Sequence, residues 1–158
     1  MLLLGYHRIG YHVLKHLQEQ KIKCLVVDYN PEVVRNLMER NIPCLYGDVA
    51  DDEILQELKK YKPKIVISTI HLFEDNVLVT QTFRKSNKKA IIYATAKTVP
   101  EALTLYKKGA DYVIVPHLLG GEHIADLLKR KITDKKHLQK LKKKHIEHLV
   151  SLHNHHKI

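Results

Sequence analysis

The sequence predicts an α/β fold: a doubly wound sheet of six parallel strands, followed by a C-terminal helical extension. Three observations carry this. From residue 1 to about 128, short runs rich in Val, Ile and Leu alternate with helical patterns. The runs lack the strict in-and-out alternation of a half-exposed strand, as expected for strands buried on both faces. The connections are short, which favours right-handed crossovers between neighbouring parallel strands.

The first strand is read at Met1–Leu4 and the first helix at Ile9–Gln20. The second strand, Ile22–Val27, ends at Asp28. Asn30, Pro31 and Glu32 supply an N-cap, a proline at the first helical position and an acid in the first turn, so the second helix runs over Pro31–Arg40. Pro43–Tyr46 and Asp51–Lys60 form the third strand and helix, Ile65–Ser68 and Phe73–Lys85 the fourth, and Ala90–Ala94 is the fifth strand. Thr98 and Glu101 stand at capping-box spacing at the start of Pro100–Lys108, which Gly109 closes. Tyr112–Val115 is the sixth strand and Leu118–Lys131 the helix after it. A break near Thr133 and Asp134 precedes a last helix from Lys135 to about Leu152. Leu138, Leu141, Leu149 and Leu152 leave it a narrow apolar stripe interrupted by His145 and His148, and a helix of this length needs a partner surface. Residues 1–131 therefore read as one domain and 132–158 as a basic, histidine-rich helical tail.

The formal charge of +10 is concentrated at one end. Residues 129–158 hold ten Lys and Arg against two acids, and residues 1–128 hold seventeen against fifteen. The basic signal belongs to the tail and says little about the α/β part. No apolar run approaches the ~20 residues that cross a bilayer. Cys24 and Cys44 read as small apolar occupants of neighbouring strands, which suits a reducing compartment.

The stretch GYHRIG, Gly5 to Gly10, follows the first strand and opens the first helix, the context of a Rossmann-like phosphate turn. Gly5 and Gly10 take the first and third glycine places, and His7 stands at the second. Arg8 offers a forked cation to phosphate. Asp28, at the tip of the second strand, is placed to accept from ribose hydroxyls. Asp48, after the third strand, is placed to accept from an adenine amino group, and Ser68 and Thr69 end the fourth strand on the same edge. Taken singly, the glycines serve equally well as a tight turn and the acids as strand-end caps. Together on one edge they read as a nucleotide site.

Catalysis finds no such series. No Ser-His-Asp order, catalytic carboxylate pair or metal-ligand spacing stands out before residue 128, and His71 and His117 lie singly near the predicted edge. The tail histidines His145, His148, His153, His155 and His156 read as a solvated terminus. The expectation is binding without turnover, so not an enzyme. The alternatives are a small NAD-dependent oxidoreductase, which lacks chain for a substrate domain, and a nucleic-acid-binding protein using the tail.

The motifs GYHRIGYHVLKHL, VVDYNPEVV, YGDVADDEIL, STIHLFEDNVLV, GADYVIVP and GGEHIADLL together resemble the RCK domains, regulators of K+ conductance also called TrkA-N or KTN domains. The resemblance covers nearly all of residues 1–128, and LLGYHRIG is most similar to the cytoplasmic domain of Kef-type cation:proton antiporters, including archaeal ones. It implies a regulatory domain on the cytoplasmic side of the cell membrane that binds an adenine nucleotide, pairs with a second copy and gates a K+ or cation:proton transporter, with no nucleic acid partner. It places Gly5, Tyr6, His7, Arg8, Ile9 and Gly10 at phosphate, Asp28 and Tyr29 at ribose, Asp48 and Val49 at adenine, and Ser68, Thr69 and Ile70 along the cleft. Family members often carry an arginine after the fifth strand, where this chain has Thr95 with Lys97 beyond. That departure and His7 favour AMP or ADP, with NAD(H) or ATP as the other ligands. The resemblance also implies a homodimer through residues 118–131, with Leu119, Ile124, Leu127 and Leu128 on the apolar face. With only four residues ahead of Gly5, the chain reads as a piece of a longer membrane protein or as a free-standing subunit.

Overall fold

The computed structural model describes residues 1–129 and 134–155, with side chains described as far as residue 150. The elements run β1 (Leu2–Leu4), α1 (Arg8–Glu19), β2 (Leu25–Asp28), α2 (Pro31–Glu39), β3 (Cys44–Tyr46), α3 (Asp52–Lys60), β4 (Ile65–Ser68), α4 (Phe73–Ser86), β5 (Ile91–Thr95), α5 (Val99–Lys108), β6 (Tyr112–Ile114), α6 (Pro116–Lys129) and α7 (Lys135–His155). The expected end of the sixth helix at Lys131, the break at Thr133 and the tail residue His156 lie outside the described residues.

The six strands form one parallel sheet in the order β3-β2-β1-β4-β5-β6. The chain winds outward from β1 to β3, returns, and winds outward again from β4 to β6. The winding reverses between β1 and β4, and the carboxyl ends of the strands there open the crevice in which such folds bind ligands. Right-handed crossovers put α1 and α2 on one face and α3, α4 and α5 on the other.

Burial explains why the strand runs are continuously apolar. Leu2, Leu3 and Leu4 are all buried although successive side chains face opposite ways, because helices cover both faces of β1. Leu2, Leu4, Val66, Val79, Phe83 and Ile92 belong to one core cluster with Leu55 and Leu58 of α3. A second cluster joins Ala94 and Val113 to Ala102 and Leu105 of α5. The helices present these residues at three- and four-residue spacing, as Tyr11, Leu14 and Leu17 do in α1.

The local signals act as expected. Asn30 accepts from the Glu32 amide at 2.9 Å, and the Thr98–Glu101 capping box forms in both directions. Gly109 ends α5 at φ +110°, a left-handed conformation that suits glycine. Two elements start more than one residue from where the sequence places them. The second strand begins at Leu25 and not Ile22, because Lys21 turns left-handed (φ 55°) and the Ile22 amide closes back on the Leu17 carbonyl at 2.8 Å. Cys24 is buried, but just outside that strand. The sixth helix begins at Pro116, whose missing amide costs nothing in a first helical turn.

Arg84, near the end of α4, ties three segments together. Its guanidinium donates to the carbonyls of Gly109, Lys88 and Ala90 at 3.0, 2.7 and 2.8 Å, and pairs with Asp111 at 2.6 Å. The same Asp111 oxygen accepts from the Ile92 amide.

The internal contacts fall into two units, Met1–His117 and Leu118–Ile158. No residue of α6, which runs from the first unit into the second, is buried. Asp134 starts α7 by accepting from the amides of Lys136 and His137, each at 3.1 Å.

Candidate functional site

The site is built on the turn that leaves β1. Gly5 adopts φ +83°, where a side chain would be strained. Gly10 packs so closely on the returning chain that a Cβ there would sit 2.2 Å from the Gly5 carbonyl oxygen. Thr69 locks both: its hydroxyl donates to the Gly5 carbonyl at 2.8 Å and its amide to the Leu4 carbonyl at 2.8 Å. The first and third glycines are therefore steric requirements of the turn. His7 is under no such constraint; it is exposed, stands at the N-cap of α1 and makes no side-chain capping bond.

The bare end of α1 stands out among the capped helices. Asn30, Asp51 and Thr98 cap α2, α3 and α5 with their side chains, whereas α1 and α4 have none. These two helices start on either side of the β1/β4 reversal. The first turn of α4 carries Glu74 and Asp75, which answer its own positive end; that of α1 carries no acid and begins with Arg8. The free amides and positive end of α1 are an anion-binding arrangement.

On the β2–β3 side the surface is acidic. Asp28 is buried and holds the turn: Oδ2 accepts from the Tyr6 amide at 2.8 Å and Oδ1 from the Asn30 amide at 2.9 Å. Each carboxylate oxygen retains a second lone pair for a hydroxyl donor. Tyr29 is exposed beside it. Asp48 is exposed and accepts from the Ala50 amide at 2.9 Å. Burial, then the charge of Asp48 and then that of Glu74 hold the Asp75 carboxyl above the usual carboxylate range.

On the β4–β6 side a cleft of about 420 Å³ opens, a volume within the range of small-ligand sites. Arg8 and Ile9 form its α1 wall, Ile70, His71 and Asn76 its β4–α4 wall, Thr95, Ala96 and Lys97 its β5–α5 wall, and Pro116 and His117 the remainder. Asn76 is buried and braces this wall by donating to the carbonyls of Ile70 and Leu72. The one acid in the lining, Glu101, accepts from the amides of Lys97 and Thr98 at 2.7 and 3.3 Å. Arg8, Lys97, His71 and His117 thus give the cleft a basic character. The rings of His7 and His71 meet edge-on across the reversal, 6.4 Å apart.

The candidate residues divide accordingly. Gly5, Arg8, Ile9, Gly10, Thr69, Ile70 and Thr95 gather around the end of α1 and the cleft, Thr95 donating from its hydroxyl to the Ile70 carbonyl at 2.9 Å. Asp28, Tyr29 and Asp48 lie on the acidic side. Tyr6, Val49 and Ser68 turn their side chains inward: the Tyr6 hydroxyl accepts from Arg40 at 3.0 Å, Val49 sits in the core, and Ser68 is fully buried with its hydroxyl unpartnered. The sequence places His71 and His117 near this edge and Lys97 after the fifth strand without assigning them to a ligand, and reads Glu101 only as a cap. Their signal is position, each lying two to six residues beyond the end of β4, β5 or β6. Among the described residues no group of three or more His, Cys, Asp or Glu is arranged to hold a metal, and no helix is long and apolar enough to cross a membrane.

Residues 1–116 match the model of the TrkA-N domain. The chain belongs to the TrkA-N family. Potassium channel protein 1 of Methanocaldococcus jannaschii is 29% identical over 126 residues, which take in 78% of this chain and 38% of that protein's length. The TrkA-N domain of the Escherichia coli inner membrane protein ybaL superposes with a TM-score of 0.75 at 26% identity, covering 80% of this chain and 94% of that one. GsuK bound to ADP superposes with a TM-score of 0.70 at 23% identity, over 82% of this chain and 34% of that one. The AMP-bound Kef C-terminal domain of Shewanella denitrificans gives a TM-score of 0.70 at 16% identity, over 97% and 90%. The TrkA-N fold seen here is thus shared with potassium channel and Kef proteins.

Proposed function

We propose that this TrkA-N chain is a regulatory domain that binds an adenine nucleotide, AMP or ADP in preference to NAD(H) or ATP, and gates a K+ or cation:proton transporter at the cytoplasmic side of the membrane. The observation that carries the reading is the change of polarity across the end of α1. Acceptors (Asp28, Asp48) lie on one side, and donors and cations (Arg8, Lys97, His71, His117) line the cleft on the other. Adenosine offers hydroxyl and amino donors, and phosphate offers negative charge, so a nucleotide matches both sides in one orientation. Oxidised nicotinamide, itself cationic, suits a basic cleft poorly. GsuK is solved with ADP and also with NAD, and the Kef domain with AMP, which supports an adenine nucleotide without choosing among them.

Residues 1–131 form the nucleotide domain in this reading, and 132–158 the tail. A second copy pairs through residues 118–131: Leu119, Ile124, Leu127 and Leu128 of α6 are 41–58% exposed, a row of apolar side chains that a partner would cover. Nucleotide shifts the transporter's open–closed balance by its differential affinity for two arrangements of the pair.

Isothermal titration of the purified chain with AMP, ADP, ATP and NADH tests the reading. Saturable heat with AMP or ADP, weaker with NADH, is expected. No heat with any of the four at millimolar concentration overturns it.

A further inference from the structure

We propose that α7 docks on an anionic lipid surface, lying along it with its leucines in the interface and its lysines at the headgroups. The helix carries Lys135, Lys136, Lys140, Lys142, Lys143 and Lys144 against a single acid, Glu147. Its apolar side chains are left in water: Leu138, Ile146, Leu149 and Val150 are 48%, 47%, 48% and 53% exposed. At the α-helical pitch Leu138, Leu141 and Leu149 share an arc of roughly 80° that also holds His145, with Ile146 and Lys144 flanking it on either side and Lys136, Lys140 and Lys143 opposite. Lys142 stands beside the arc, where its long stem lets the ammonium reach headgroups while the methylenes stay with the leucines.

Charge and apolarity together select the occupant. A second α7 would bring six more lysines against one more acid, with no complementary pairs to offset the repulsion. A nucleic acid would use the lysines but leave the leucines wet, and the helix holds no arginine, Phe, Tyr or Trp to stack on bases. An anionic bilayer surface satisfies both at once, attracting the lysines and receiving the apolar stripe. The proposal does not depend on nucleotide binding.

The chain has no tryptophan, so Leu149→Trp adds a single indole in the stripe. This variant of the full chain is mixed with vesicles of phosphatidylcholine plus phosphatidylglycerol, and with vesicles of phosphatidylcholine alone. Emission should shift to the blue with the anionic vesicles only. Co-sedimentation of the unlabelled chain should fall about tenfold or more at high salt, in Lys140→Glu/Lys142→Glu/Lys143→Glu/Lys144→Glu, and in Leu138→Ser/Leu141→Ser. The proposal is overturned by no shift with anionic vesicles, or by full vesicle binding in the leucine variant. It is overturned equally by duplex DNA displacing the vesicles with no dependence on the leucines, or by a dimer that needs the leucines in a chain that ignores vesicles.

Discussion

The backbone amide of Tyr6 donates to Oδ2 of Asp28 across 2.8 Å, fastening the turn after β1 to the end of β2. Because Oδ1 takes the Asn30 amide, one carboxylate holds both the turn after β1 and the turn after β2. Asp28→Ala strands a buried amide, and should cost about 1–3 kcal/mol in urea denaturation and weaken AMP binding more than tenfold. Asp28→Asn presents a donor to one of the two amides, so it should resemble alanine and not the parent.

Gly10→Ala should be the most damaging single methyl on this edge. The added carbon falls 2.2 Å from the Gly5 carbonyl, so α1 must move away from β1 and break the Thr69 contact. A loss of about 2–4 kcal/mol, read from the denaturation midpoint, is expected, with phosphate affinity lost alongside.

At His7 the expected effect is on choice of ligand. The side chain is exposed and uncommitted to a cap, so His7→Gly should leave stability within about 1 kcal/mol of the parent. By removing bulk where a pyrophosphate would approach, it should raise NADH affinity relative to AMP. Competitive titration checks the ratio; an unchanged ratio removes His7 from the selection of nucleotide.

Among the described residues Arg84 has one carboxylate partner and three carbonyls, in the geometry of a planar fork. Lysine supplies a charge without the fork. Arg84→Lys should therefore recover little of what Arg84→Ala loses, about 2–4 kcal/mol by thermal or chemical denaturation, with nucleotide affinity per folded molecule unchanged.

Asp75 gives a pH signature. Its carboxyl is held above the usual range, so the folded chain keeps this proton more tightly than the unfolded chain does. That contribution is present in acid and is lost as pH rises through the raised value. Asp75→Asn should therefore be more stable than the parent at neutral pH, with the gain vanishing below about pH 4, the ordinary carboxylate value. Melting temperatures across that window decide it.

The glycine turn and the helix caps could be read from sequence because their causes are local: a left-handed residue, a contact within five positions, a side chain two or three residues from its amide. The start of β2 could not, since nothing in Lys21 announces a left-handed turn that only the closing bond from Ile22 to Leu17 enforces. The cleft escaped for a different reason. Arg8, His71, Lys97 and His117 come from four separate connections, and they converge because β4 lies beside β1 and the winding reverses there. Tyr6, Val49 and Ser68 stood in the right motif, but the pleat and the turn direct their side chains inward.

Pro116 and His117, the last residues around the cleft, are also the first two of α6. Behind the Arg8 and Ile9 wall, Thr69 ties the Gly5 turn to the end of the strand beside it. Any group held in the cleft would therefore meet the first turn of α6, the helix whose remaining residues belong to 118–158.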